Sequence, residues 1–93
     1  MRQLVWSKTF LRAYKGAIRR YPHLKTDIEP VLRLLVEDPF DPRLRTHKLK
    51  GQLEGTWACT IGYDMRLIFE FVKGAGKEDD ILLIEIGTHE EVY

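Results

Sequence analysis

Residues 56–72 read TWACTIGYDMRLIFEFV. Two runs rich in aromatic and branched residues, 56–61 and 64–72, flank a turn around Gly62, which is the pattern of an antiparallel hairpin. Side chains alternate between the two faces of a strand. Met65, Leu67, Phe69 and Phe71 therefore share one face of the second run, and Asp64, Arg66, Ile68 and Glu70 share the other. The large apolar set belongs in a core, so Trp57 and Cys59 join it from the first run, while Asp64 and Arg66 turn outward. With Ile61-Gly62-Tyr63 as the turn, Thr60 faces Asp64 and Ala58 faces Arg66. Residues 81–86, ILLIEI, supply a further strand with Leu82, Ile84 and Ile86 inward and Glu85 outward.

Upstream of this hairpin the apolar period lengthens. Gln3 to Trp6 reads as a short strand, and Ser7 sits where a helix N-cap belongs. Phe10, Leu11, Tyr14, Ala17, Ile18 and Tyr21 then follow at steps of three and four, one helical stripe that Pro22 ends. A second helix is expected from Thr26, which forms a capping box with Glu29, with Pro30 tolerated in its first turn. Ile28, Val31, Leu32, Leu35 and Val36 form its buried stripe, and Glu37-Asp38-Pro39 stops it. Residues 40–55 make a polar connector with turns at Gly51 and Gly55. The order is β-α-α-β-β-β, a single α+β domain over residues 1–93. An antiparallel sheet carries a helical hairpin on one face, and the other face is free for chemistry.

The bulk numbers narrow the setting. Ninety-three residues hold one core. The lone cysteine, Cys59, has no partner for an internal disulfide. No signal peptide is visible in MRQLVWSKTF and no apolar run approaches a membrane span, so a cytoplasmic protein with no membrane partner is expected. The net charge of +1 hides a division. Residues 1–51 carry 12 Lys/Arg against 5 Asp/Glu, while residues 52–93 carry 3 against 9. The first half thus offers a surface that attracts phosphates, or simply a solvated helix face. His23, His47 and His89 lack zinc spacing, and KGAGK (73–77) is not followed by a helix as a phosphate loop would be. No metal or cofactor is expected.

The run THKLKGQLEGTWACTIGYDMRLIFEF (46–71), followed by another strand and GTHEEVY (87–93), resembles the RelE/ParE superfamily of toxins from type II toxin–antitoxin modules. The likeness rests on the Leu-Lys-Gly connector, an aromatic opening the second strand, Asp-x-Arg-Leu in the third, and a histidine–aromatic tail. His-x-Leu-x-Gly with Gly-Thr-His-x-x-x-Tyr is similar to the YafQ branch. The resemblance implies a RelE-like microbial ribonuclease fold, and an endoribonuclease that cuts mRNA in the ribosomal A site without metal. It also implies a cognate antitoxin as partner.

The resemblance also implies site residues. Such cleavage needs a base for the 2′-hydroxyl, a cation for the phosphorane charge and an acid for the departing 5′-oxygen. His47 matches the base position, and its neutral imidazole near pH 7 suits that task; the alternative is an idle loop histidine. His89 matches the tail histidine, an acid or base partner. Arg66 matches the arginine on the scissile phosphate, where its fork grips two oxygens; otherwise it pairs with Glu85 or Glu70. Asp64 matches an acidic position that orients a histidine or moves a proton, and equally suits a turn. Tyr93 matches a terminal aromatic that stacks on a base or donates a proton. Arg43, Arg45, Lys48 and Lys50 would contact phosphates, and Thr60 stands where the YafQ pattern has another histidine. Threonine binds a phosphate but shuttles no proton, which puts full activity in doubt. Two rival readings remain: a ParE-like gyrase inhibitor, and a catalytically weak relative that only binds an antitoxin.

Overall fold

The computed structural model describes residues 2–93, and it is α+β as the pattern of the sequence requires. Strand β1 (Leu4–Trp6) leads into helix α1 (Lys8–Arg20), followed by helix α2 (Leu24–Glu37). Then come a 3₁₀ turn at Pro42–Leu44, the two-residue strand β2 (His47–Lys48) and a second 3₁₀ turn at Gly51–Leu53. Strands β3 (Trp57–Ile61), β4 (Met65–Val72) and β5 (Asp80–Thr88) complete the sheet, and a final turn of helix, α3, spans His89–Val92. The sheet order is β1-β5-β4-β3-β2. β2, β3, β4 and β5 pair antiparallel, while β1 joins β5 in parallel, so the sheet is mixed at that edge.

Local chemistry explains where most elements begin. The Ser7 hydroxyl accepts the Phe10 N–H at 3.0 Å and donates to the Leu83 carbonyl at 2.9 Å, so one side chain both caps α1 and pins it to β5. α2 begins two residues before the expected Thr26 cap, and the Thr26–Glu29 box does not form. Its first turn closes instead on the His23 carbonyl, and Leu24 enters the core at 1% exposure. Packing of Leu24 thus overrides the local cap and leaves Pro30 in the second turn. α3 has the capping box that α2 lacks: Glu91 N–H donates to the Thr88 hydroxyl, and the Glu91 carboxylate accepts the Thr88 N–H.

α1 packs over β5 and α2 over β3, which places the core on one side of the sheet. Phe10, Leu35, Leu67, Phe69 and Leu83 are fully buried there, with Trp57 and Met65 packed at its margin. The inward residues of β5 are Ile81, Leu83 and Ile86, correcting the expected Leu82, Ile84 and Ile86. A bulge is the cause: Ile68 pairs with Glu85 and Phe69 with Leu83, so Ile84 has no partner and the alternation slips there. The opposite face is not bare, since Ala58 and Ile68 on it are buried.

Cys59 lies in the core, where burial pushes its thiol up to about 12. Folding therefore favours the neutral thiol, whereas the unfolded thiol ionises near pH ~8.5. That contribution is complete below pH ~8.5 and is lost as pH rises toward the folded value, at about 1.4 kcal/mol per pH unit. Urea unfolding at pH 7 and pH 10 should show a steeper alkaline loss of stability for the wild type than for Cys59→Ala; equal slopes would contradict it.

Candidate active site

The β3–β4 hairpin sets the site. Thr60 pairs with Arg66, Ile61 with Met65 and Ala58 with Ile68, two residues away from the expected register. A two-residue slip preserves the faces, so Thr60 and Arg66 still share the side away from the helices. It also moves Asp64 out of the strand and into the turn with Gly62 and Tyr63, where Gly62 has φ +61°. His47 pairs with Ala58, on the same face. Lys48, its neighbour on β2, turns the other way and sits 5.5 Å above the Trp57 ring.

An open cleft of about 890 Å³ lies beside this hairpin. Arg66, His89, Thr60, Asp64, Arg43 and Arg45 line it, which brings most of the sequence-predicted residues to one place. Arg66 is half-buried, and its Nη1 donates to the Met65 and Tyr63 carbonyls at 3.1 and 3.4 Å. A guanidinium carries five N–H donors, so Nε and Nη2 stay available to an anion. Arg43 is engaged in a two-pronged ion pair with Asp41, whose carboxyl the arginine holds down at about 2. Arg45 occupies the left-handed backbone region, φ 53°, at the close of the 3₁₀ turn. The Thr60 hydroxyl donates to the Leu44 carbonyl at 3.3 Å.

The Arg45 carbonyl fixes the state of His47. His47 Nδ1 lies 3.0 Å from that oxygen. A carbonyl only accepts, so Nδ1 carries the hydrogen and, in the neutral ring, the lone pair belongs to Nε2. Nε2 faces the Tyr93 hydroxyl at 3.5 Å, and the Tyr93 ring packs edge-on against His89 with centroids 4.6 Å apart. Tyr93 therefore stands between the two imidazoles, and partial burial raises its phenol above the usual range.

His89 and Tyr93 owe their positions to α3. The His89 N–H donates to the Asp64 carbonyl at 3.3 Å, tying the helix to the hairpin turn, and Arg20 of α1 reaches the Glu91 carboxylate at 2.6 Å. Asp64 thus contributes its backbone to His89, while its carboxylate faces the cleft without a hydrogen bond among the described residues. Lys50 and Lys48 do not line this cleft. Sequence reasoning missed three features here: the α3 turn, whose signal was the Thr88-x-x-Glu91 box; Arg20; and Tyr63, 98% exposed at the cleft mouth. Among the described residues no cluster of His, Cys, Asp and Glu is arranged to hold a metal ion, and no helix is long and apolar enough to cross a membrane.

Known structures share this architecture. YafQ from Escherichia coli superposes with a TM-score of 0.80 at 18% identity, covering 100% of this chain and 99% of that one. A YoeB/ParE toxin from Agrobacterium tumefaciens gives 0.74 at 24% identity over 94% of this chain and 98% of its own. The YafQ chain in a crystal structure of the E. coli DinJ–YafQ complex gives 0.78 at 18% identity, covering 100% and 99%. No curated protein sequence matches. Residues 2–93 match the family described as bacterial toxin of type II toxin–antitoxin system, YafQ. The chain belongs to the YafQ family of type II toxins.

Proposed function

We propose that this toxin is an mRNA endoribonuclease working in the ribosomal A site. The observation that carries the reading is the His47–Tyr93–His89 series standing beside Arg66. His47 Nε2 takes the proton from a 2′-hydroxyl, and the freed oxygen forms a bond to the adjacent phosphorus as the bond to the 5′-oxygen breaks. His89 gives a proton to that departing oxygen. The unused Arg66 donors hold the non-bridging oxygens as negative charge gathers on them. Asp64 anchors His89 through its carbonyl, which accepts the His89 N–H. Tyr93 spaces the imidazoles, and Arg43, Arg45, Lys50 and Thr60 serve the phosphate chain to either side, whereas Lys48, turned toward Trp57, does not. The products are a 2′,3′-cyclic phosphate and a 5′-hydroxyl, with every proton accounted for and no metal required.

The partner is an antitoxin. The E. coli relative is crystallised with DinJ, and the basic first half of this chain favours an acidic segment that orders on contact. The reading is tested on a message translated by purified ribosomes with the toxin added, with cut positions and end groups mapped. Cuts confined to translated RNA and ending in 2′,3′-cyclic phosphate are expected. Intact message together with inhibited DNA supercoiling would transfer the chain to the gyrase-poisoning class, and an intact message with neither effect would leave only antitoxin binding.

A further inference from the structure

A second cavity, of about 490 Å³, opens on the other side of Tyr93. Leu49, Leu53 and Val92 give it apolar walls, Tyr93 lends an aromatic one, and Lys50 and Gln52 stand exposed at its rim. The loop that shapes it is closed by its own backbone. Leu49 N–H donates to the Thr56 carbonyl, Thr56 N–H to the Leu53 carbonyl, and Glu54 N–H to the Gly51 carbonyl, at 3.0–3.1 Å. The cavity is therefore preformed rather than dependent on a ligand to shape it. His89 lines only the first cleft and Tyr93 only this cavity, so the His47–Tyr93–His89 series marks the boundary between the two.

We propose that this second cavity is a nucleoside subsite that seats the base on one side of the phosphate being cut. The inference rests on the nuclease reading and deepens it. The volume lies within the range of small-molecule sites, and apolar walls with a few polar groups at the rim are what such sites use. The Tyr93 ring offers a stacking surface that is indifferent to base identity. The Gln52 amide carries both donor and acceptor, so it can read a base edge and bias which nucleotide is accepted. Lys50 at the rim neutralises the next phosphate along. An RNA strand crossing this boundary would place one nucleotide in each cavity and the linkage between them against His47, His89 and Arg66.

Two measurements on the full chain decide it. In the first, ¹⁵N-labelled protein is titrated with a dinucleotide whose first sugar is 2′-deoxy and so resists cutting. Amide shifts at Leu49, Gln52, Leu53 and Val92 are expected together with those at Arg66 and His89; shifts confined to the first cleft would overturn the subsite. In the second, Leu53→Trp, which fills the cavity, and Gln52→Ala are compared with wild type on a translated message. Leu53→Trp should cut at least about tenfold more slowly with unchanged thermal unfolding, as expected for a lost stacking site. Gln52→Ala should redistribute cuts among codon positions. Should Leu53→Trp fail to fold, the exposed Gln52 variant still decides through its cut pattern. Wild-type rates and cut positions in both folded variants would remove the subsite and leave the nuclease reading intact, whereas a wild type that cuts nothing removes both.

Discussion

Replacing His47 by alanine should lower the cleavage rate on translated message by about 10²–10⁴-fold, the usual worth of a positioned acid–base group. The side chain is exposed, so thermal unfolding should hardly move. His47→Asn sharpens the test. Its amide nitrogen can still donate toward the Arg45 carbonyl, restoring the contact made by Nδ1, but it offers no basic lone pair. Both variants should therefore lose kcat to a similar extent while KM for the message changes little. An asparagine variant of near wild-type activity would show that His47 has only a structural duty.

Arg66→Ala should lower kcat/KM by about 10²–10³-fold, as removal of a preorganised electrostatic donor does. Arg66→Lys should recover only part of this, because an ammonium keeps the charge but not the planar fork. The two Nη1 bonds to the hairpin carbonyls also vanish, at a stability cost of about 0.5–1.5 kcal/mol each at most, since the group is only half-buried. Unfolding midpoints measured beside the kinetics separate the two effects. A lysine variant as active as wild type would remove the bidentate grip from the mechanism.

The α+β order, the Ser7 cap, the hairpin about Gly62 and the inward set of β4 were legible because each is written in local period and turn chemistry. What escaped was non-local. Nothing in ILLIEI marks Ile84 as the residue skipped by a bulge, since Ile84 and Leu83 are equally apolar; the slip is imposed by pairing with β4. The parallel docking of β1 on β5 and the two-residue β2 likewise depend on partners far along the chain. At the site, the resemblance to the RelE/ParE toxins pointed to His47, Arg66, His89 and Tyr93. That resemblance gave no hint that Tyr93 would stand between the imidazoles, or that Asp64 would meet His89 through its carbonyl rather than its carboxylate. The second cavity escaped as well, because it exists only where the 49–53 turn meets the end of α3.

The bond between Arg20 and Glu91 spans 71 positions, and the pairing of Leu4 with Ile81 spans more. Contacts of such long range form late and slowly, after most of the chain's freedom has been surrendered. His47, Arg66 and His89 come from β2, β4 and α3, so the candidate site exists only once these distant stretches have met. A site put together this way would be among the last parts of the molecule to take shape.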